Sequence, residues 1–144
     1  MQTFTSESLA NLLNEDLALE LRAVVQNINH IGTASNSRSN QPARDALHER
    51  INFVVELTSQ ITRMGCTPIT HISPPHVGRT RKNALIEDLS LEKILLSRYV
   101  KRRQQAQNLD SETGLPGIVE HRIDEVSHNI SRLETAMSHD SDAN

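Results

Sequence analysis

The apolar residues of this chain recur at helical spacing in four stretches, separated by segments without periodicity. Leu9, Leu13, Leu17, Val24, Ile28 and Ile31 share one stripe, predicting a first helix over about 6–31 with Thr5 or Ser6 as its cap. Gly32 is placed to end it, and Pro42 suits the first turn of the next. The second helix, over about 43–64, carries Leu47, Ile51, Val54, Leu57, Ile61 and Met64 and stops at Gly65. A third, over about 82–108, aligns Leu85, Leu89, Leu96 and Tyr99. A fourth, over about 117–138, aligns Val119, Ile123, Val126, Ile130, Leu133 and Met137.

The connections set the topology. "GTASNSRSNQP" and "DSETGLPG" are short, so the helices they join are antiparallel neighbours. "CTPITHISPPHVGRT", residues 66–80, has three prolines and no periodicity, and must be irregular. At about 15 residues it reaches up to roughly 50 Å when extended. The second helix is about 33 Å long at 1.5 Å per residue. The segment can therefore run the whole bundle and leave the second and third helices parallel. The expected fold is all-α: one domain over residues 1–144, a four-helix bundle with one long crossover and no fifth helix.

Composition narrows the function. With 36% hydrophobic and 23% charged residues, the 144-residue chain reads as one globular domain with a real core. A net charge of −3 gives no basic field for nucleic acid. Phe4, Phe53 and Tyr99 are the only aromatics, which removes stacking platforms for bases and disfavours a large organic cofactor. Cys66 is the single cysteine, so no internal disulfide is available and a reducing compartment fits. No apolar run reaches membrane length, and "MQTFTSESLA" has neither the charged nor the apolar region of a leader. The expectation is a cytoplasmic protein without a membrane or nucleic-acid partner.

Two carboxylates occupy core positions. Glu20 continues the series Leu13, Leu17, Val24, and Glu92 continues Leu85, Leu89, Leu96, Tyr99, so both face inward near mid-helix. An unpaired carboxylate in a core costs several kcal/mol, so each needs a cation or a metal. "IDEVSHNISRLETAM" adds Glu125 and His128, three apart on the fourth helix, a spacing that lets one helix give two metal ligands. At about 100° per residue, however, Glu125 falls roughly 120° from the stripe centred on Val126 and Ile130, with His128 nearly opposite it. The pair reads either as metal ligands brought inward by one residue of helix bulge or, more commonly for such a placement, as a solvated face.

These segments resemble the ferritin-like superfamily, and bacterioferritins most closely. "LNEDLALELRAVVQNINH" resembles that family's first helix, with Glu20 at its metal-ligand Glu. "ITRMGCTP" resembles the end of its second helix. "DLSLEK" offers Glu92 for the third-helix ligand, and "DEVSH" offers Glu125 and His128 for the fourth-helix Glu-x-x-His. The resemblance covers about residues 8–138. It implies a di-iron centre that oxidises Fe(II), with the product stored in a hollow shell of many subunits.

The departures are as informative. Counting back from Pro68, the family's second-helix Glu and His positions hold Arg50 and Phe53, and Ile51 stands where bacterioferritin has its haem-ligating Met, so no haem is expected. No fifth helix of the kind that lines four-fold channels in large shells is expected after the fourth. If "RLETAM" is kept in register with the family, Val126 and Asn129 take the fourth-helix ligand positions. Arg50 shares the stripe of Leu47, Val54 and Leu57, so its planar fork of donors is placed to bridge Glu20 and Glu92 in the charge role that iron holds in the family.

Other candidates carry less. His71 and His76 flank two prolines in the crossover without acidic or thiolate company, and Cys66 has no partner at a zinc spacing. "YVKRRQQ" is a one-turn basic patch that reads as a solvated face or subunit contact. Two functions follow. One is an iron-handling protein, in storage or homeostasis, with Glu20, Glu92, Glu125 and His128 as metal ligands; if enzymatic, it is a ferroxidase holding non-haem iron weakly. The other is a metal-free structural or interaction subunit. Either way the expected partner is another copy of the chain, as a dimer or larger assembly, or related subunits in a mixed shell.

Overall fold

The computed structural model describes residues 5–34, 40–107 and 114–142. Four helices carry these residues: α1 (Ser6–Thr33), α2 (Gln41–Arg63), α3 (Arg81–Gln107) and α4 (Leu115–Asp142). Each begins and ends within a few residues of the position its periodicity predicted. Thr5 caps α1, its hydroxyl accepting from the Ser8 amide at 3.0 Å. Gly65 ends α2 at φ 81°, with the Cys66 amide bonding back to Ile61 and the Gly65 amide to Thr62. That is the paired closure a left-handed glycine permits. Gly32 does not act this way: α1 runs through it to Thr33 and leaves by an extended Ala34.

α1 packs on α2 and α3, and α4 packs on α3 and α2. Contacts Asp16–Arg102, Glu20–Tyr99 and His30–Asp88 show α1 and α3 running antiparallel. The crossover is stapled along α1. Asn14 Nδ2 donates to the Thr67 carbonyl, Asn14 Oδ1 accepts from the Ile69 amide, and His30 Nε2 accepts from the Gly78 amide at 2.9 Å. Asn14 and His30 are about 24 Å apart along the helix at 1.5 Å per residue, so the segment spans most of the bundle. The fold is the expected all-α bundle with one long crossover. Among the described residues no helix is long and apolar enough to cross a membrane.

The core joins Leu9, Leu13 and Leu17 of α1 to Phe53, Leu57 and Ile61 of α2, Leu91, Leu95 and Tyr99 of α3, and Val119, Val126 and Ile130 of α4. The predicted stripe of α1 holds through Leu17 and then turns. Ala23 and Gln26 are buried while Ile28 is 51% exposed. Polar attachment explains the turn: Gln26, Asn27 and His30 all reach Asp88 Oδ1 on α3, at 2.9, 3.2 and 2.9 Å.

Gly78, where the crossover docks on His30, leaves no room for a side chain, because a Cβ there would overlap the backbone of Asn83 and Ala84. Gly78→Ala should therefore lower unfolding free energy by about 1–3 kcal/mol, read by urea denaturation. A loss below about 0.5 kcal/mol would show that the crossover is not held at this point.

Candidate site at the bundle centre

Glu20 and Glu92 both point inward, at 0% and 2% exposure, from α1 and α3. Arg50 of α2, 1% exposed, lies between them. One of its terminal nitrogens donates to Glu20 Oε1, the other to Glu92 Oε1, and its Nε donates to Asn27 Oδ1 at 3.1 Å. All three nitrogens are used, which is the match of planar fork to carboxylates that the sequence pattern of α2 suggests.

A second cation closes the site from α4. Arg122 Nε donates to Glu20 Oε2 at 2.9 Å and one terminal nitrogen to Glu20 Oε1 at 3.0 Å, a two-point pair. Its guanidinium carbon lies 5.1 Å from the centroid of the Phe53 ring, and Phe53 packs edge-on against Tyr99. Tyr99 donates its hydroxyl to Glu20 Oε2 at 2.7 Å. Glu20 thus accepts four hydrogen bonds, two on each oxygen. Glu92 Oε2 accepts from Asn129 Nδ2 at 3.0 Å, and Asn129 Oδ1 accepts from Arg132 Nε at 2.8 Å. Two carboxylates and two guanidiniums give this centre no net charge.

Burial pushes the Glu20 carboxyl up, but Arg122 and Arg50 together hold it below the usual carboxylate range. Burial likewise opposes the charge on Arg50, and Glu92 and Glu20 overcome it, so Arg50 is held above its ordinary value. The Tyr99 hydroxyl is pushed well up, first by burial and then by Glu20.

The remaining sequence candidates lie apart from this centre. Glu125 is half-buried at its edge, where Oε1 accepts from Arg122 at 3.3 Å, and His128 is on the exposed face of α4. Val126 and Asn129 are the residues α4 turns inward at that level. The regular helix leaves the Glu125–His128 pair where its angular position puts it; no bulge carries it in. His71 and His76 are exposed, and His76 stands 3.5 Å from Glu87. Among the described residues no three His, Cys, Asp or Glu side chains cluster so as to hold a metal ion.

Two features were missed in the sequence. Arg122 sits three positions after Val119 and four before Val126, so the stripe rule that found Glu20 and Arg50 marks it as well. The basic patch "YVKRRQQ" is also corrected. Arg102 is 3% exposed and clamps a buried Asp16, with Nε to Oδ2 at 2.8 Å and a terminal nitrogen to Oδ1 at 3.2 Å, while Arg98 reaches the same carboxylate. Lys101 is exposed as expected, and Arg103, half-buried, stands in a loose pair with Glu120.

Removing Arg50 leaves two acids without their shared cation. Arg50→Glu, which adds a third, should cost at least about 3–5 kcal/mol of unfolding free energy in metal-free buffer. Unchanged denaturation would contradict the bridging role. The Glu20 shift also has a sign. Because its folded value lies below the ordinary 4.5, the unfolded chain protonates first as pH falls. The stabilisation from Glu20 is complete above about pH 4.5 and is lost as pH drops through the folded value. Asp16 and Glu125 are shifted the other way, chiefly by burial, so the comparison is made against Glu20→Gln. The native chain's advantage over that variant should be constant near neutrality and shrink below about pH 4.5. An advantage independent of pH would contradict the shift.

No protein-family model and no curated protein sequence matches this chain. Solved structures do. A ferritin-like diiron-carboxylate protein of Bacillus anthracis str. Ames superposes with a TM-score of 0.86 at 24% identity, covering 94% of this chain and 99% of that one. Rhodobacter capsulatus bacterioferritin, with a metal-free dinuclear site and a haem iron, gives 0.86 at 20% identity over 96% of this chain and 88% of its own. The Mycobacterium tuberculosis bacterioferritin BfrA gives 0.86 at 22% identity over 100% and 91%. With the crossover running along α1 and α2 parallel to α3, the chain has the ferritin-like four-helix-bundle fold that these proteins share.

Proposed function

We propose that this chain is a subunit of iron-handling ancestry in which a centre of ion pairs takes the place of a di-iron site, so that it contributes assembly rather than iron oxidation. The observation that carries this reading is the position of Arg50, bonded at once to Glu20 and Glu92. A metal there would need free carboxylate lone pairs and additional imidazole or carboxylate donors. Glu20 already accepts four hydrogen bonds, and Phe53, Val126 and Asn129 supply neither an imidazole nor a further carboxylate. A divalent ion would also meet two fixed guanidiniums in a centre already neutral, at a cost that rises in low dielectric. The donor set does not fit iron.

The assembly half of the reading rests on apolar residues left outside the bundle. Ile28 on α1, and Ile51 and Val55 on α2, are 51%, 40% and 64% exposed. The Arg50–Asn27 hydrogen bond sets α1 and α2 in register there, placing Ile28 and Ile51 at one level. A second copy of the chain covering this face would remove that surface from water.

Aerobic addition of Fe(II) to the purified chain, followed by ferric absorbance, tests the first half. The expected rate equals that of buffer alone, and protein-dependent acceleration would overturn it. Light scattering tests the second half: a dimer or larger species is expected, with Val55→Lys shifting it toward monomer, and a monomer at all concentrations would overturn it.

A further inference from the structure

A cavity of about 410 Å³ opens at the end of the bundle where α2 and α3 begin. Its size falls at the lower end of small-molecule pockets, roughly 300–1,000 Å³. Its walls include Ala84, Leu133 and Ala136, and its polar lining includes Arg132, Asp88 and His30, with Arg79 also on the lining. Three facts give it a sign. Arg132 is half-buried and spends one nitrogen on Asn129, and none of its hydrogen bonds or ion pairs is to a carboxylate among the described residues. Burial outweighs the attraction of Asp88 and Glu92 and holds the Arg132 guanidinium below its ordinary pKa. Among the described residues Asp88 is the one carboxylate on the lining, against the cations Arg79, Arg81 and Arg132, and its Oδ1 accepts from Gln26, Asn27 and His30.

His30 is bonded at both ring nitrogens and adds no charge of its own. Its Nε2 accepts from the Gly78 amide, so the ring is neutral, with Nδ1 donating to Asp88. The first turns of α2 and α3 contribute Pro42, Ala43, Arg81 and Ala84 to the lining, so two positive dipole ends face this space against one negative end, that of α1 at Ile31, Thr33 and Ala34.

We infer that this cavity is a binding site for a small phosphate-bearing anion, with the Arg132 guanidinium as its principal contact and the apolar wall formed by Leu133 and Ala136 available to any organic body the phosphate carries. A guanidinium donates two parallel hydrogen bonds to a phosphate, and Arg132 has two terminal nitrogens to give. The Arg132–Asn129–Glu92 chain holds that guanidinium in place from the bundle centre. The site depends on charge and shape at the end of the bundle and stands whether or not the centre takes iron.

Isothermal titration of the full chain with potassium phosphate, ionic strength held constant with potassium chloride, tests it. One saturable site per chain is expected, with a dissociation constant of about 1 mM or tighter. Arg132→Gln should weaken it about tenfold or more, and Arg132→Lys, which keeps the charge without the fork, should weaken it less. Ala136→Leu narrows the cavity while leaving Arg132 intact, and should also weaken binding. Titration with glycerol 3-phosphate identifies the source: tighter binding than inorganic phosphate assigns a phosphomonoester, and equal or weaker binding assigns the free anion, each upholding the site. Absence of saturation, or native-like binding by Arg132→Gln with folding verified by circular dichroism, would overturn it.

Discussion

Two carboxylates on different helices meet at the waist of this bundle, out of reach of water, and the rest of the centre is arranged around that fact. Glu20 and Glu92 could not remain ionised there unpaired, since the desolvation of each amounts to several kcal/mol. Arg50 from α2 and Arg122 from α4 supply the opposing charge, and Tyr99, Asn27 and Asn129 occupy most of the hydrogen-bonding positions left over. Every helix contributes at least one charged or polar member. Sliding any helix by one turn, about 5.4 Å, would strand a charge in the core, so the network fixes register more than it adds net stability.

A second clamp repeats the arrangement nearer one end, where Arg102 and Arg98 of α3 grip the buried Asp16 of α1. The Asp88 cluster fastens the other half of the same helix pair. α1 and α3 are thus tied by polar contacts at three levels, with leucines between. This explains why α1 turns away from its apolar stripe after Glu20. The attachments to Asp88 win over burial of Ile28, and the surface released by that turn is the one proposed to meet a second copy.

Much of this was legible in the sequence. The four helices followed from periodicity, and the parallel pair from a crossover too long for a hairpin. The inward direction of Glu20, Glu92 and Arg50 followed from their spacing to neighbouring leucines. Arg122 escaped because Ile123 beside it satisfied the stripe, and a helical wheel shows only one partner at a time. Arg102 escaped because a run of basic residues looks solvated until a buried acid, Asp16, is found opposite it. Neither pairing is local, so the spacing within one helix could mark Arg122 as inward but could not name the partner of either arginine. The placement of Glu125 and His128 turned on whether α4 is regular, which no spacing could decide.

Whether Arg50 stands in for metal is tested most directly by anomalous diffraction at the iron edge, from crystals of the chain soaked aerobically in Fe(II). The expected map shows the Arg50 guanidinium between the two carboxylates and no iron peak at the bundle centre. An iron peak ligated by Glu20 and Glu92, with Arg50 swung aside, would contradict the substitution of charge for metal.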